Sequence, residues 1–232
     1  IVISTPPGRE GCPAYLAHGK MLSSLPNLEW VGYLSSTCVY GDRGGDWVDE
    51  YTETCPTSIR GTRRCKAEEQ WRTLRRVEGL PVHVFRLAGI YGPGRSALDS
   101  VRVGIARRIN KEGQVFSRIH VDDIVDVITK SIEQPNAGAV YNVCDDNSAP
   151  AHEVISYACE LLGHPVPPLV QIEDANLPPM ALSFYSDNKR VHNDRIKQEL
   201  GIKLRYPDYR SGIDQCHEYD QKFGSIYDGI AS

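Results

Sequence analysis

No apolar run in these 232 residues approaches the roughly 18 that a membrane-spanning helix needs. A basic excess is missing too: 26 Lys and Arg stand against 30 Asp and Glu, and the net charge of −4 argues against a general nucleic-acid binder. The pairs Arg63–Arg64 and Arg107–Arg108 read as solvated helix faces rather than a phosphate track. There is no C-x-x-C. The seven cysteines, an odd number, are scattered as Cys12, Cys38, Cys55, Cys65, Cys144, Cys159 and Cys216, which suits free thiols better than a disulfide framework. No Cys/His cluster has the spacing of a zinc site, so no metal is expected. No basic, apolar, small-residue leader opens the chain. The expected location is the cytoplasm or another reducing compartment, a plastid included, and not the secreted space. Internal repeats and low-complexity tracts are absent.

What is present is ordinary in amount and informative in order. Hydrophobic residues make up 41% and charged residues 24%, enough for one core and a small lobe. Ile1–Thr5 is a β-branched run stopped by Pro6–Pro7 and reads as a strand. Residues 13–24 suit a short helix, Val31–Leu34 a strand, and the polar, glycine-containing stretch Gly41–Pro56 a loop. Ala67, Trp71 and Leu74 at helical spacing predict a helix over 63–78, ended by Gly79. Pro81–Leu87 follows as a strand, 97–110 as a helix, and Val121–Ile132 as a helix burying Ile124, Val125, Val127, Ile128 and Ile132. Val140–Val143 is a strand and 151–163 a helix closed by Gly163. Prolines 165, 167, 168, 178 and 179 then mark an irregular connection before helices over Asn193–Leu200 and 209–222. Alternation of strand and helix through residue 145 predicts an α/β protein with a doubly wound parallel sheet, and 146–232 a mainly helical and loop lobe for the substrate.

In such sheets ligands sit at the carboxyl ends of the strands. The hydroxyl cluster Ser35–Ser36–Thr37, followed by Val39–Tyr40–Gly41, lies at such an end. Four further runs follow in order: Phe85-Arg-Leu-Ala-Gly-Ile-Tyr-Gly-Pro-Gly94, Arg118-Ile-His-Val-Asp-Asp123, Tyr141-Asn-Val143, and Asn188-Lys-Arg-Val191 with Leu204-Arg-Tyr-Pro207. Together they resemble the extended, atypical short-chain dehydrogenases/reductases, the NAD-dependent epimerase/dehydratase-like proteins, over about residues 1–215.

The resemblance implies a Rossmann-like fold, NAD or NADP as cofactor, and a polar small-molecule substrate, with a homo-oligomer as a further expectation. It implies catalytic roles for Ser36 and Lys66 and cofactor contacts from Ser4, Thr5, Pro6, Ser35, Ala88, Gly89 and Ile90. It places the substrate beside Thr37 and Tyr40, and Arg60, Arg63 and Arg64 bring positive charge to the same place, suited to an anionic substrate or a cofactor phosphate. Two departures stand out. The tyrosine of the family's Tyr-x-x-x-Lys is replaced by Thr62, whose alkyl hydroxyl is far too weak an acid to stand in for a phenol. A G-x-x-G-x-x-G phosphate loop is absent, and the Gly89–Gly94 cluster contains a proline and opens no immediate helix. Family members carry that loop in a βαβαβ half of roughly sixty to seventy residues. The chain is therefore expected to be N-terminally truncated, with Ile1 on the fourth strand of the family's sheet, an exposed apolar edge where the first strand would pair, and weak dinucleotide binding.

Residue by residue, Ser36 is weighed against a serine that merely caps the next turn, Lys66 against an exposed helix lysine, and Arg60, Arg63 and Arg64 against a helix surface. Tyr51 and Tyr40 are the remaining local phenols: Tyr40 reads as packed in its turn, and Tyr51, in the 41–56 loop, is the one that could swing in. Arg86 reads as one half of a salt bridge, His120 as a packed strand-to-helix corner, and Asp122–Asp123 as caps of the following helix. Three functions remain open: an NAD(P)-dependent oxidoreductase or epimerase/dehydratase-like enzyme, a non-catalytic NAD(P)-binding or redox-sensing module, and a truncated form that binds no cofactor.

Overall fold

The computed structural model describes residues 1–225. In chain order the elements are β1 (Val2–Ile3), α1 (Pro13–Ser23), β2 (Val31–Ser36), β3 (Trp47–Val48), α2 (Ile59–Glu78), β4 (Val82–Leu87), β5 (Gly89–Tyr91), α3 (Ala97–Arg102), β6 (Arg108–Asn110) and β7 (Arg118–His120). Then come α4 (Val121–Glu133), β8 (Val140–Val143), α5 (Ala151–Leu162), β9 (Leu169–Gln171), α6 (Pro179–Leu182), β10 (Arg190–Val191), α7 (Asp194–Leu200) and α8 (Tyr209–Phe223).

The central sheet is parallel, in the order β1-β2-β4-β8. Its inner strands are rich in β-branched and aromatic residues and buried almost throughout, as strands covered on both faces must be. Alternation sorts the side chains. Val31, Tyr33, Val82, Val84 and Val140 meet Leu22 of α1 and Ala67, Trp71 and Leu74 of α2 on one face. Phe85, Leu87, Tyr141 and Val143 meet Ile124 and Val127 of α4 and Ile196 and Leu200 of α7 on the other. This is the expected doubly wound, Rossmann-like arrangement. β1 is an outer strand, and its Val2 and the preceding Ile1 are exposed.

A third core joins Tyr91, Leu98 and Val101 to Val154, Ala158 and Cys159 of α5 and Tyr209, Ile213 and Cys216 of α8. The lobe thus takes residues from before 145, while α7, from after it, covers the sheet.

Several expectations need correcting. The α2 helix starts at Ile59, not 63, because the Ser58 side chain caps it by accepting the Gly61 N–H at 3.1 Å. The expected helix over 97–110 stops at Arg102. Gly104, at a φ of +70°, turns the chain, and Arg108–Asn110 pair with β9. The 41–56 loop contains β3, which pairs with β10, some 140 positions away in sequence. On α4, Val125 and Ile132 are about half exposed (55% and 49%); Ile124 and Val127 form the buried stripe, with Ile128 partly buried beside them. All seven cysteines are free thiols.

Candidate functional site

Because the sheet is parallel, β1, β2 and β4 end at one edge, where Ser4–Pro6, Ser36–Thr37 and Ala88–Ile90 emerge. Ser4, Thr5 and Pro6 are exposed, as are Gly89 and Ile90, while Ala88 is buried. Thr5 Oγ1 lies 3.7 Å from Cys12 Sγ. Ser36 is half-buried, with Thr37 beside it, and opens a 3-10 turn over Thr37–Tyr40. Its hydroxyl accepts the Cys38 N–H at 3.3 Å. That bond is the capping role, and it uses only a lone pair, so the hydroxyl proton stays available to a ligand. Capping and ligand binding are therefore compatible here.

Beneath the edge lies a buried polar network. Glu68 accepts from Ser35 Oγ at 2.5 Å and from Arg86 Nε and Nη2 at 3.2 and 2.8 Å. Arg86 Nη1 donates to Tyr40 Oη at 2.9 Å, and Tyr40 donates to Asn142 Oδ1 at 2.7 Å. Ser35, Glu68 and Arg86 are each only 3% exposed, and Tyr40 and Asn142 are fully buried. Arg86 is thus the salt-bridged residue that the sequence suggests. Ser35 and Tyr40, expected at the cofactor and substrate, instead spend their hydroxyls inside the fold. Burial pushes the Tyr40 phenol up to about 12, against the pull of Arg86.

The cations divide differently from expectation. The Lys66 ammonium bonds the Arg9 carbonyl at 3.2 Å and Glu10 at 3.4 Å, in the segment between β1 and α1, and makes no hydrogen bond with Ser36. Arg64, two residues earlier on α2, reaches the end of β2, donating to the Leu34 carbonyl at 2.6 Å and to Tyr33 Oη at 3.3 Å. Arg60 points to the lobe, donating to Ser183 Oγ with its guanidinium over the Phe184 ring at 4.6 Å. Arg63 is half-buried and has no hydrogen bond or ion pair among the described residues. Thr62, in the place of the tyrosine, returns its hydroxyl to the Ser58 carbonyl. Tyr51 is 83% exposed on the 41–56 loop.

Gly61 explains why α2 can come so close to the serine turn. A Cβ there would lie 2.8 Å from both the Cys38 carbonyl and Pro56.

Two features escape the sequence reading. Lys189 enters from the lobe with a side chain only 11% exposed, donates to the Gly41 carbonyl at 2.8 Å and lies 3.6 Å from Asp187. Burial lowers its pKa, against Asp187 and Cys38. The quoted Asn188–Val191 run was its only signal. The second is a cleft of about 280 Å³ lined by Tyr91, Arg95, Arg107, Arg118 and Tyr209. Arg118 donates to the Phe116 and Ala149 carbonyls at 2.8 and 2.9 Å, and burial lowers its pKa, against Asp145. His120 packs at its corner as expected, accepting the Asp122 N–H. Asp123, expected as a helix cap, instead accepts the backbone N–H groups of Arg205 and Tyr206.

Fold and edge define a Rossmann-like α/β protein with hydroxyl side chains at the carboxyl edge of its sheet. The model of the NAD dependent epimerase/dehydratase family matches residues 21–144, and the chain belongs to that family. It is 31% identical to "Protein YeeZ" of Escherichia coli (strain K12) over 177 residues, covering 76% of this chain and 58% of that protein's length. Among solved structures, a functionally unknown conserved protein from Silicibacter pomeroyi DSS is 53% identical, with a TM-score of 0.89 over 94% of this chain and 77% of that one. The dTDP-glucose 4,6-dehydratase of Bacillus anthracis str. Ames, solved in complex with NAD, shares the fold at 21% identity, with a TM-score of 0.67 over 83% of this chain and 62% of that one. No helix among the described residues is long and apolar enough to cross a membrane.

Proposed function

We propose that this chain carries the substrate side of an NAD(P)-dependent oxidoreductase or epimerase/dehydratase-like site acting on a polar, anionic metabolite. The observation that carries the reading is Ser36: a half-exposed hydroxyl at the carboxyl edge, oriented by the Cys38 N–H and with its own proton unspent. The exposed strand ends Ser4–Pro6 and Gly89–Ile90 fit the nicotinamide half of a cofactor. The 232 residues hold no G-x-x-G-x-x-G run for its pyrophosphate. A bound nicotinamide would supply or accept hydride. Ser36 would hold the reacting oxygen by donating its proton. Arg64 and Lys189, fixed on the Leu34 and Gly41 carbonyls, would favour negative charge building up at that turn. Arg118, Arg95 and Arg107 would hold the substrate's anionic group in the cleft at Tyr91.

The test is turnover of a panel of sugar nucleotides and small ketones with NADH and NADPH. Ser36→Ala is expected to lower turnover about ten- to a thousandfold, the cost of one lost oxyanion-type donor. Unchanged turnover would move the site elsewhere. A second reading, a non-catalytic NAD(P)-binding or redox-sensing module, is favoured by the state of the phenols beside Ser36 among the described residues: Tyr33 and Tyr40 are buried, and Thr62 is turned back on its helix. Tight cofactor binding without turnover on the whole panel would select it.

A further inference from the structure

A second group of three arginines lies away from the carboxyl edge. At the amino-terminal end of β4, a cleft of about 330 Å³ opens between the last turns of α2 and the lead-in to β8. Arg72, Arg75 and Arg76 line one wall, Val82 and Val84 the floor, and Ala137–Gly138 the far side. Spacings of three and four residues put the three guanidinium groups on one face of the helix. Arg76 is satisfied by Glu69 at 2.6 Å and Thr73 at 3.0 Å. Arg72 and Arg75 have no side-chain hydrogen bond or ion pair among the described residues, and the Arg75 Nε–H is buried without an acceptor. A buried donor left unpaired is costly. Basic residues in a last helical turn do complement the helix dipole. That effect asks neither for convergence on one cleft nor for a buried, unpaired Nε.

We propose that this cleft is a second binding site, for a small ligand bearing a multivalent phosphate or equivalent anion, held by the Arg72 and Arg75 guanidinium forks. The volume suits a small molecule. A guanidinium matches the oxygens of such an anion in pairs, and the valine floor accepts an apolar part of the ligand. Val82 opens β4 whereas Ser36 closes β2, so the two sites lie at opposite ends of the sheet. The ligand here is therefore not the substrate of the edge, and the inference stands independently of the function proposed for that edge.

The experiment is calorimetric titration of the full chain with inorganic pyrophosphate at low ionic strength, with far-UV circular dichroism to check that each variant is folded. Saturable binding is expected to persist in Arg95→Ala/Arg107→Ala, which strips two of the cationic side chains of the other cleft, and the further changes are read in that background. It should weaken about tenfold or more in Arg72→Ala/Arg75→Ala, as lost charge-assisted bonds imply. Arg72→Lys/Arg75→Lys should weaken it less, because charge remains and only the fork is lost. No binding by the unaltered chain overturns the proposal. So does binding that is lost in Arg95→Ala/Arg107→Ala, or kept in Arg72→Ala/Arg75→Ala. A six-glutamate peptide that binds through Arg72 and Arg75 more tightly than pyrophosphate also overturns it, in favour of an acidic protein partner.

Discussion

Glu68→Gln should be among the most damaging single substitutions in the chain, although it changes one atom. The Glu68 carboxylate accepts three hydrogen bonds, one from Ser35 and two from Arg86, and both partners are buried with it. The amide keeps the shape, removes the charge and turns an NH2 group toward a guanidinium or a hydroxyl. Arg86 then remains inside the fold as a cation with no carboxylate partner, and breaking a buried pair in this way costs about 3–5 kcal/mol. At about 2–4 °C per kcal/mol for a chain of this size, the melting temperature should fall by about 6–20 °C. The control is the next residue on the same helix. Glu69 pairs with Arg76 at 2.6 Å, but both side chains are more than half exposed, and such pairs are worth about 0–1 kcal/mol. Urea and thermal unfolding of Glu68→Gln and Glu69→Gln, followed by circular dichroism, compare the two directly. The double substitution Glu68→Leu/Arg86→Leu should recover much of the loss, since no charge is then stranded. Equal costs for the two glutamines, within 1 kcal/mol, would refute the reasoning.

Gly61→Ala should destabilise by about 1–3 kcal/mol, because the new methyl would press on the Cys38 carbonyl and Pro56, neither of them a flexible side-chain end; unfolding equilibria check this, and a neutral effect would show that the serine turn has slack. Asp145 is buried, with Oδ2 unpaired, and burial pushes its pKa up to about 8 against the opposing pull of Arg118. Its folded state therefore holds a proton that the unfolded chain releases near pH about 3.9, so its contribution to stability is present at low pH and is lost as pH rises toward 8. Asp145→Asn should consequently gain stability relative to the parent between pH 5 and pH 8; an unchanged difference in melting temperature between those pH values would contradict the assignment.

The legible parts of the fold are those whose cause is local. Trp71 and Leu74 at helical spacing, with Gly79 beyond, mark α2. The runs at β2 and β4, buried on both faces, mark the sheet. Illegible parts depend on partners far away in sequence. Trp47–Val48 is a strand only because Arg190–Val191 lies beside it, and Arg108–Asn110 because Leu169–Gln171 does. The α2 start was misplaced because Ser58, its cap, stands in a stretch that also reads as loop. At the site, Ser36 was visible from its position at a strand end, and the salt bridge of Arg86 was foreseen without its partner. The commitment of Ser35 to Glu68 was not, since Glu68 becomes its neighbour only once α2 lies on the sheet. Lys66 and Arg64 are two residues apart, about 200° around a helix, so a small ambiguity in aligning the helix exchanges which of them reaches the strand end.

The central claim is that a nicotinamide cofactor meets this chain at the carboxyl edge, against Ser36–Thr37 and Gly89–Ile90. An amide-resolved NMR titration of the isotope-labelled chain with NADH and NADPH tests it without requiring turnover. The account predicts that the resonances of Ser36, Thr37, Gly89 and Ile90 shift together, with those of α4 and α7 unmoved. Shifts confined to the amino-terminal end of the sheet, or none at saturating cofactor, would contradict it.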